Sequence, residues 1–317
     1  MSIPLLSLVV PFFNEEDTIS AFFPRVVSCL DAIEDLAFEI ICVNDGSSDA
    51  TLQRLIDAAN ADERVHVIDL SRNFGKESAL SAGLAEARGE VVVPFDADLQ
   101  DPPEVIGELI AKWREGFDVV LARRVDRQSD TFLKRRMASC FYRLHNKLAD
   151  VKIPDNVGDF RLMTRAVIEA MKAFPESRRF MKGLFAWVGF RTAVISYTRE
   201  VRVAGKTKFS GWKLWNFALE GITSFSSLPL RVWTYFGFAV AAVSFIYAAY
   251  LIIRTFVHGV DVPGYASIFV SILFFSGVQM IGIGILGEYI GRIYIESKRR
   301  PLYLIRSRYN RSTSHER

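Results

Sequence analysis

Cysteine is scarce in this chain, and its scarcity excludes two kinds of architecture. Cys29, Cys42 and Cys140 are the three cysteines among 317 residues, and their spacing matches neither a metal-ligand pattern nor a disulfide framework. Cys42 lies within an apolar run, which is typical of a buried thiol. Because free thiols persist in a reducing compartment, the sequence predicts a cytoplasmic location for this part of the chain.

The chain also lacks a strong charge imbalance and a leader segment. A formal net charge of +3 does not indicate nucleic acid, and we expect no nucleic-acid partner. Residues 1–13 have no basic start and run directly into Asn14 and Glu15, so we expect no secretory signal peptide. The sequence shows neither an internal repeat nor a low-complexity linker.

Two long apolar runs lie near the C-terminus. Residues 232–257 are almost wholly apolar up to Arg254, and residues 265–290 carry one charge, Glu288. Each is long enough to cross a bilayer, which takes about 20 residues. The residues between them include no Lys or Arg, whereas both outer flanks are basic, and the positive-inside rule then places both flanks in the cytoplasm. The sequence predicts a membrane hairpin; the alternative is a pair of buried core helices.

The first half of the chain alternates between strand-like and helical segments. This order predicts an α/β domain with a doubly wound, mostly parallel sheet. Ligands of such sheets bind beyond the carboxyl ends of the strands, where the loops carry Asn14, Glu15, Asp45, Lys76, Asp96 and Asp98. The predicted strands cover residues 5–12, 38–43, 65–70, 90–95 and 117–122, and the predicted helices cover residues 18–34, 51–60, 76–87 and 104–114.

Asp96 and Asp98 follow an apolar strand and are one residue apart. Positions two apart in extended backbone share a face, so both carboxylates can point to one place beyond the strand end. Hard divalent cations prefer oxygen ligands of this kind, and such a cation can neutralise a nucleotide diphosphate as it leaves. The alternative is an ordinary surface turn, in which Asp and Pro are common.

Two further segments are expected to face the membrane surface. Residues 131–148 place apolar residues at helical spacing between basic ones, which is typical of an interfacial amphipathic helix; the alternative is a domain helix with a solvated basic face. Trp212 and Trp215 lie shortly before the first apolar run, where Trp suits the bilayer interface. The basic tail beyond Pro301 is expected either to lie on anionic lipid or to be disordered.

Several motifs together resemble glycosyltransferase family 2, and within it the polyisoprenyl-phosphate glycosyltransferases. The resemblance extends from residue 5 to about residue 300 and includes the C-terminal hairpin. It implies a GT-A fold, a UDP-sugar donor, a divalent cation (Mg²⁺ or Mn²⁺) and undecaprenyl phosphate as acceptor. The motifs are residues 9–15 (VVPFFNE), 43–49 (VNDGSSD), 71–77 (SRNFGKE), 96–102 (DADLQDP), 156–162 (NVGDFRL) and 179–187 (RFMKGLFAW).

On this resemblance the chain divides into four parts. Residues 1–210 form the catalytic domain, residues 211–230 a juxtamembrane interfacial helix, residues 231–295 two transmembrane helices and residues 296–317 a basic cytoplasmic tail. The protein is then a multi-pass protein of the bacterial inner membrane, with its catalytic domain and both termini in the cytoplasm.

The resemblance also implies roles for individual residues. Asp96 and Asp98 would bind the metal, with Asp96 also near the ribose or diphosphate. Asp159 occupies the position of a catalytic carboxylate, which leaves open whether it acts as a base, orients other groups or helps to hold metal. Matching residues would contact the nucleotide sugar: Pro11, Asn14, Glu15, Asp45 (to the uracil), Lys76, Ala97 and Gln100 (near the sugar). The acceptor phosphate would be bound by Arg124, Arg127, Arg179 and Lys208.

The implied reaction is an inverting hexosyl transfer that supplies cell-envelope glycans such as lipopolysaccharide. Glucose is the first choice of sugar, with N-acetylhexosamine, galactose and formamido-aminoarabinose as alternatives. A phosphate monoester has its second pKa at about 6, so the acceptor needs little help from a general base. A different class of function is a non-catalytic, membrane-anchored protein that binds or translocates nucleotide sugars or lipid-linked sugars.

The second apolar run carries a series of glycines. Small residues at such spacing allow close helix contact, so the chain is expected to form a homo-oligomer, either a dimer or a tetramer. The alternative is a tight hairpin within one chain. The glycines are Gly277, Gly282, Gly284, Gly287 and Gly291.

Overall fold

The computed structural model describes residues 3–125, 157–174, 185, 187–198, 228–258 and 264–310. The strands in these residues are β1 (Leu5–Phe12), β2 (Ala37–Asn44), β3 (Val65–Leu70), β4 (Val91–Pro94), β5 (Val119–Arg124), β6 (Val157–Thr164), β7 (Thr192–Tyr197) and β8 (Ile305–Tyr309). The helices are α1 (Glu16–Asp31), α2 (Thr51–Ala61), α3 (Lys76–Glu86), α4 (Val105–Arg114), α5 (Arg165–Lys172), α6 (Leu228–His258) and α7 (Tyr265–Ser297).

All described strands belong to one sheet, in the order β7-β5-β6-β4-β1-β2-β3-β8. Strands β1 to β4 are mutually parallel where they pair. Strand β6 runs antiparallel to both β4 and β5, and β7 runs parallel to β5. The predicted α/β class and mostly parallel sheet are therefore confirmed, with β6 and β8 as the reversed strands.

Helices cover both faces of the sheet because the buried strands are apolar on both sides. Leu8 and Val10 of β1 face a core completed by α1, α2 and α4. Val9, between them, faces a second core completed by α3 and α5. Phe22 of α1 is fully buried, and replacing a buried Phe by Ala costs about 3–5 kcal/mol of stability.

The C-terminal strand β8 corrects one prediction. It pairs antiparallel with β3, and Arg308 forms a 2.8 Å ion pair with Glu86. The alternative of a disordered tail is wrong for Ile305–Tyr309, and contact of the tail with anionic lipid stays a prediction. Without β8, the edge of β3 would present unpaired backbone groups. Asp69 and Glu86 of the domain form ion pairs with Arg306 and Arg308 of β8.

Helices α6 and α7 form the C-terminal hairpin. A Cβ on Gly282 of α7 would lie 2.1 Å from Nε1 of Trp233 in α6, so the helices pack closely there. Among the described residues, Phe274–Ser297 is long and apolar enough to cross a membrane, and 6% of its apolar window is buried. In α6 the apolar stretch Tyr235–Ser244 is shorter. Low burial in α7 disfavours the alternative of buried core helices.

Several predicted features lie outside the described residues. They are the amphipathic segment at 131–148, the juxtamembrane segment at 211–226, and the proposed phosphate ligands Arg127, Arg179 and Lys208.

Candidate active site

The loops that follow β1 and β2 bind one another at the carboxyl edge of the sheet. The Asn14 amide donates to Ser47 Oγ at 3.0 Å, and Asn14 Oδ1 accepts the Ser48 amide at 2.8 Å. The Glu15 amide donates to Thr51 Oγ1 at 2.9 Å. Asn14 has φ 52°, a left-handed conformation that Asn adopts more readily than most residues. These bonds hold the predicted nucleotide-binding residues Asn14 and Glu15 in one rigid corner.

Asp45 joins this corner to the loop that precedes α3. Its carboxylate accepts the Phe74 amide at 2.7 Å and the Gly75 amide at 2.9 Å. Burial raises the pKa of the Asp45 carboxyl, and the two amide hydrogen bonds oppose that shift. The next residue, Gly46, has φ 64°, and a Cβ there would lie 2.4 Å from the carbonyl carbon of Arg72. The predicted uracil contact remains a prediction, since both carboxylate oxygens hold backbone amides.

The central feature of the site is a lysine between two carboxylates. Strand β6 runs antiparallel beside β4, which brings the start of β6, with Asp159, next to the end of β4 and Asp96. Lys76 Nζ lies 2.7 Å from Asp96 Oδ1 and 3.0 Å from Asp159 Oδ2. Partial burial lowers the pKa of Lys76, but the two carboxylates outweigh it and raise the pKa overall. Lys76 is therefore a fixed positive charge.

Asp98 belongs to a tight turn after β4. Asp98 is 7% exposed, and its Oδ1 accepts the Gln100 amide at 3.2 Å. Leu99 between them has φ 52°, and Ala97 is buried. Pro11, the remaining predicted donor-binding residue, lies in β1 opposite Val43 of β2. The turn thus brings Ala97, Asp98 and Gln100 together at the end of β4.

The carboxylates fit a divalent cation that is shared with a nucleotide. Among the described residues, no group of three or more His, Cys, Asp or Glu side chains could hold a metal alone. Asp96 and Asp98 supply hard oxygen donors, which suit Mg²⁺ and Mn²⁺ when substrate phosphates and water complete the coordination shell. The Lys76 ammonium against Asp96 shows that this position already attracts a positive charge.

Sequence reasoning missed a buried arginine behind Asp159. Arg161 is 4% exposed, its Nη2 donates to the Gly158 carbonyl at 2.6 Å, and its guanidinium lies 4.0 Å from the centroid of the Phe185 ring. Burial lowers the pKa of Arg161 to about 10, although the negative charges of Asp159 and Glu77 oppose this shift. Arg161 therefore stays charged at neutral pH. The signal available in the sequence was the spacing: residues 159 and 161 share one face of a strand.

Sequence reasoning also missed Asp101 and Tyr197, which surround Arg124. Arg124 is the last residue of β5 and lies opposite Tyr197 of β7 in register. Tyr197 donates to Asp101 Oδ1 at 2.6 Å. Tyr197 was missed because the sequence did not predict β7, the strand that places it opposite Arg124.

Comparison with known families and proteins agrees with this architecture. Residues 7–171 match the glycosyl transferase family 2 model, and residues 228–293 match the GtrB C-terminal hairpin. A bactoprenol glucosyl transferase of Shigella phage SfV is 57% identical over 302 residues, covering 95% of this chain and 98% of that protein. A prophage bactoprenol glucosyl transferase homolog of Escherichia coli K12 is 55% identical over 301 residues, with coverage of 95% and 98%.

A more distant relative has the same extent. The glycosyltransferase YkcC of Bacillus subtilis is 42% identical over 303 residues, covering 96% of this chain and 94% of that protein. Both the α/β domain and the hairpin are thus matched along nearly their whole length. The chain belongs to glycosyltransferase family 2 and carries the GtrB-type C-terminal hairpin.

Proposed function

We propose that this glycosyltransferase moves glucose from UDP-glucose to undecaprenyl phosphate or a similar polyisoprenyl phosphate. One observation carries the proposal: the relatives named as bactoprenol glucosyl transferases match at 55–57% identity over about 95% of this chain. That match extends over nearly the whole chain, from the α/β domain to the hairpin. The acceptor is an amphiphile that lies in the membrane. An apolar hairpin would hold the catalytic domain at the membrane surface, where the acceptor phosphate is exposed.

The chemistry requires a bond exchange at C1 of the sugar. A phosphate oxygen of the acceptor attacks C1, the bond from C1 to the diphosphate oxygen breaks, and UDP leaves with the electron pair. Attack from the side opposite UDP inverts the configuration, so an α-linked donor gives a β-linked product. No proton must be removed, because a phosphate monoester is largely dianionic at neutral pH. Asp159 therefore has no obligatory task as a base.

The ion pairs of Lys76 support a different role for Asp159. Its Oδ2 lies 3.0 Å from Lys76 Nζ, so it orients a cation at the place where the leaving diphosphate gathers negative charge. Asp96 and Asp98 would hold the divalent cation, which when bound neutralises that diphosphate. Asn14 and Asp45 hold the surrounding loops in place through hydrogen bonds, so the loops that would contact the donor are already ordered.

The membrane topology is part of the proposal. Both apolar runs would cross the bilayer with the domain and both termini in the cytoplasm, since the basic flanks lie on one side. Arg124 would contact the acceptor phosphate, together with Arg127, Arg179 and Lys208. On Gly277, Gly284, Gly287 and Gly291 a Cβ would have no atom of the described residues within 4 Å. This open face is where we place the homo-oligomer contact, as a dimer or tetramer.

The test is transfer of radiolabel from a panel of UDP-sugars to undecaprenyl phosphate, using the full-length protein in detergent. We expect label in the lipid from UDP-glucose, loss of that label in EDTA, and recovery with Mg²⁺ or Mn²⁺. Asp98→Ala should abolish transfer, whereas Asp62→Asn, a change in a surface carboxylate that binds Arg64, should not.

Two results would contradict the proposal. Transfer from a donor other than UDP-glucose would identify a different sugar and leave the reaction class intact. UDP-sugar binding without transfer to any lipid phosphate would favour the non-catalytic alternative.

A further inference from the structure

Two buried side chains hold the guanidinium of Arg124 at the carboxyl end of β5. Tyr197 donates its hydroxyl hydrogen to Asp101 Oδ1 at 2.6 Å and accepts one from Arg124 Nε at 3.2 Å. Arg124 Nη2 lies 3.8 Å from the same Asp101 oxygen. The guanidinium edge that carries Nε and Nη2 therefore faces Tyr197 and Asp101. The edge that carries Nη1 and Nη2 points away from these two residues.

The Tyr197 ring is itself fixed by aromatic contacts that lead to the metal-binding turn. It meets Phe160 edge to face, with centroids 5.7 Å apart, and Phe160 meets Phe95 in the same manner at 5.4 Å. Phe95 directly precedes Asp96. The hydroxyl of Tyr197 therefore has a position set by packing, independently of Arg124.

The Arg124 guanidinium lies on the side of the active site, next to Gly158, which directly precedes Asp159. Burial lowers the pKa of Arg124, but the negative charges of Asp101 and Asp96 and the hydrogen bond to the Tyr197 hydroxyl raise it overall. Asp101 is 3% exposed and Tyr197 is 6% exposed, so the counter-charge lies beneath the guanidinium, whose side chain keeps 30% of its surface open. Gly158 makes room: a Cβ there would lie 3.3 Å from Arg124 Nη2.

We propose that Asp101 and Tyr197 are positioning residues that aim Arg124 at the phosphate of the lipid acceptor. The inference rests on the proposed function and adds to it the residues that decide acceptor affinity. A guanidinium binds phosphate best through two parallel hydrogen bonds, which requires a fixed plane. The Tyr197 hydroxyl fixes that plane by holding Nε, and Asp101 fixes the hydroxyl.

Tyr197→Phe is the sharpest variant, because it keeps the ring in its aromatic contacts and removes only the hydroxyl. We expect the KM for undecaprenyl phosphate to rise about tenfold, as for one lost hydrogen bond to a charged group. The KM for UDP-glucose and the kcat should stay within about threefold of wild type. Asp101→Asn and Gly158→Ala should act in the same direction. Tyr309→Phe on the edge strand β8 and Asp62→Asn are the matched controls.

A double variant separates positioning from a merely structural role. If Tyr197 acts through Arg124, Tyr197→Phe adds no further rise in acceptor KM to a protein that already carries Arg124→Lys. A structural role would give additive effects and would also change the KM for UDP-glucose. Melting temperature and UDP affinity of each variant show that it is folded.

The outcomes are distinct. An unchanged acceptor KM in Tyr197→Phe, or additivity in the double variant, overturns the positioning role while wild-type transfer remains. Absence of transfer by the wild-type protein overturns the proposed function, and this inference with it.

Discussion

Lys76 separates two carboxylates that would otherwise repel each other, and replacing it should change how the protein binds a divalent cation. Its Nζ lies 2.7 Å from Asp96 Oδ1 and 3.0 Å from Asp159 Oδ2. In Lys76→Met the side chain keeps a similar length and loses its charge. We expect the variant to bind Mn²⁺ more tightly than wild type, because the metal replaces the lost positive charge.

The magnitude follows from the geometry. The two distances, 2.7 Å and 3.0 Å, sum to about 5.7 Å, which is the largest separation that the two carboxylate oxygens can have. Coulomb's law then gives a repulsion of about 3 kcal/mol at an effective dielectric constant of about 20 and about 0.7 kcal/mol in water. The Lys76 side chain is 47% exposed, so solvent screens the interaction and the repulsion between the two carboxylates is about 1–2 kcal/mol. This corresponds to a five- to thirtyfold tighter Kd for Mn²⁺.

The assay is an electron paramagnetic resonance titration of free Mn²⁺ with the full-length protein in detergent, without nucleotide. In EDTA, the melting temperature of Lys76→Met should fall by a few degrees, and Mn²⁺ should raise it more than in wild type. Lys112→Met is the matched control, since the Lys112 ammonium lies 2.9 Å from Glu115 on the surface.

The reasoning would be refuted if Lys76→Met left the Kd for Mn²⁺ unchanged or weakened it. An equal change in Lys112→Met would assign the effect to overall charge. Lys76→Arg keeps the positive charge and should behave as wild type.

Three further predictions use independent features of the structure. Asp159→Asn should retain kcat within about tenfold of wild type in the transfer assay, because the acceptor needs no base; near-complete loss would instead indicate a base or metal ligand. Gly46→Ala should weaken UDP binding at least tenfold by calorimetry, since its Cβ would lie 2.4 Å from the backbone of Arg72 at φ 64°; unchanged binding would show that the loop yields easily. Burial and then the neighbouring Glu104 raise the pKa of Cys29 to about 11, so alkylation of Cys29 at pH 8, followed by peptide mass spectrometry, should be at least tenfold slower than for an unperturbed thiol. Glu104→Gln should speed that reaction, and an equal rate in both proteins would contradict the contribution assigned to Glu104.

Local sequence was enough to predict the first half of the domain. The strands at Leu5–Phe12 and Val65–Leu70 match the predicted bounds, and the helix at Thr51–Ala61 extends one residue further than predicted. These elements follow from continuous apolar runs and their polar ends, which are properties of neighbouring residues. The same signals placed Asp96 and Asp98 at the end of a strand.

The strands that complete the sheet were beyond sequence reasoning. Strand β8 consists of Ile305–Tyr309, in which Arg306 and Arg308 alternate with Ile, Ser and Tyr, so on its own it resembles an exposed tail. It forms a strand because β3 offers a free edge and because Glu86 lies within reach of Arg308. Such partners come from residues more than two hundred positions away, and their positions depend on the folded sheet.

By itself the sequence determined the fold class, the apolar hairpin and the motif residues of the family, because each depends on local pattern or on residue identity. Tertiary structure alone decided which charges meet. The antiparallel course of β6 brings Asp159 to Lys76 and Asp96, and the pairing of β5 with β7 puts Tyr197 beside Arg124. Ion pairs and hydrogen bonds act over a few ångströms, so only chain topology could select these partners.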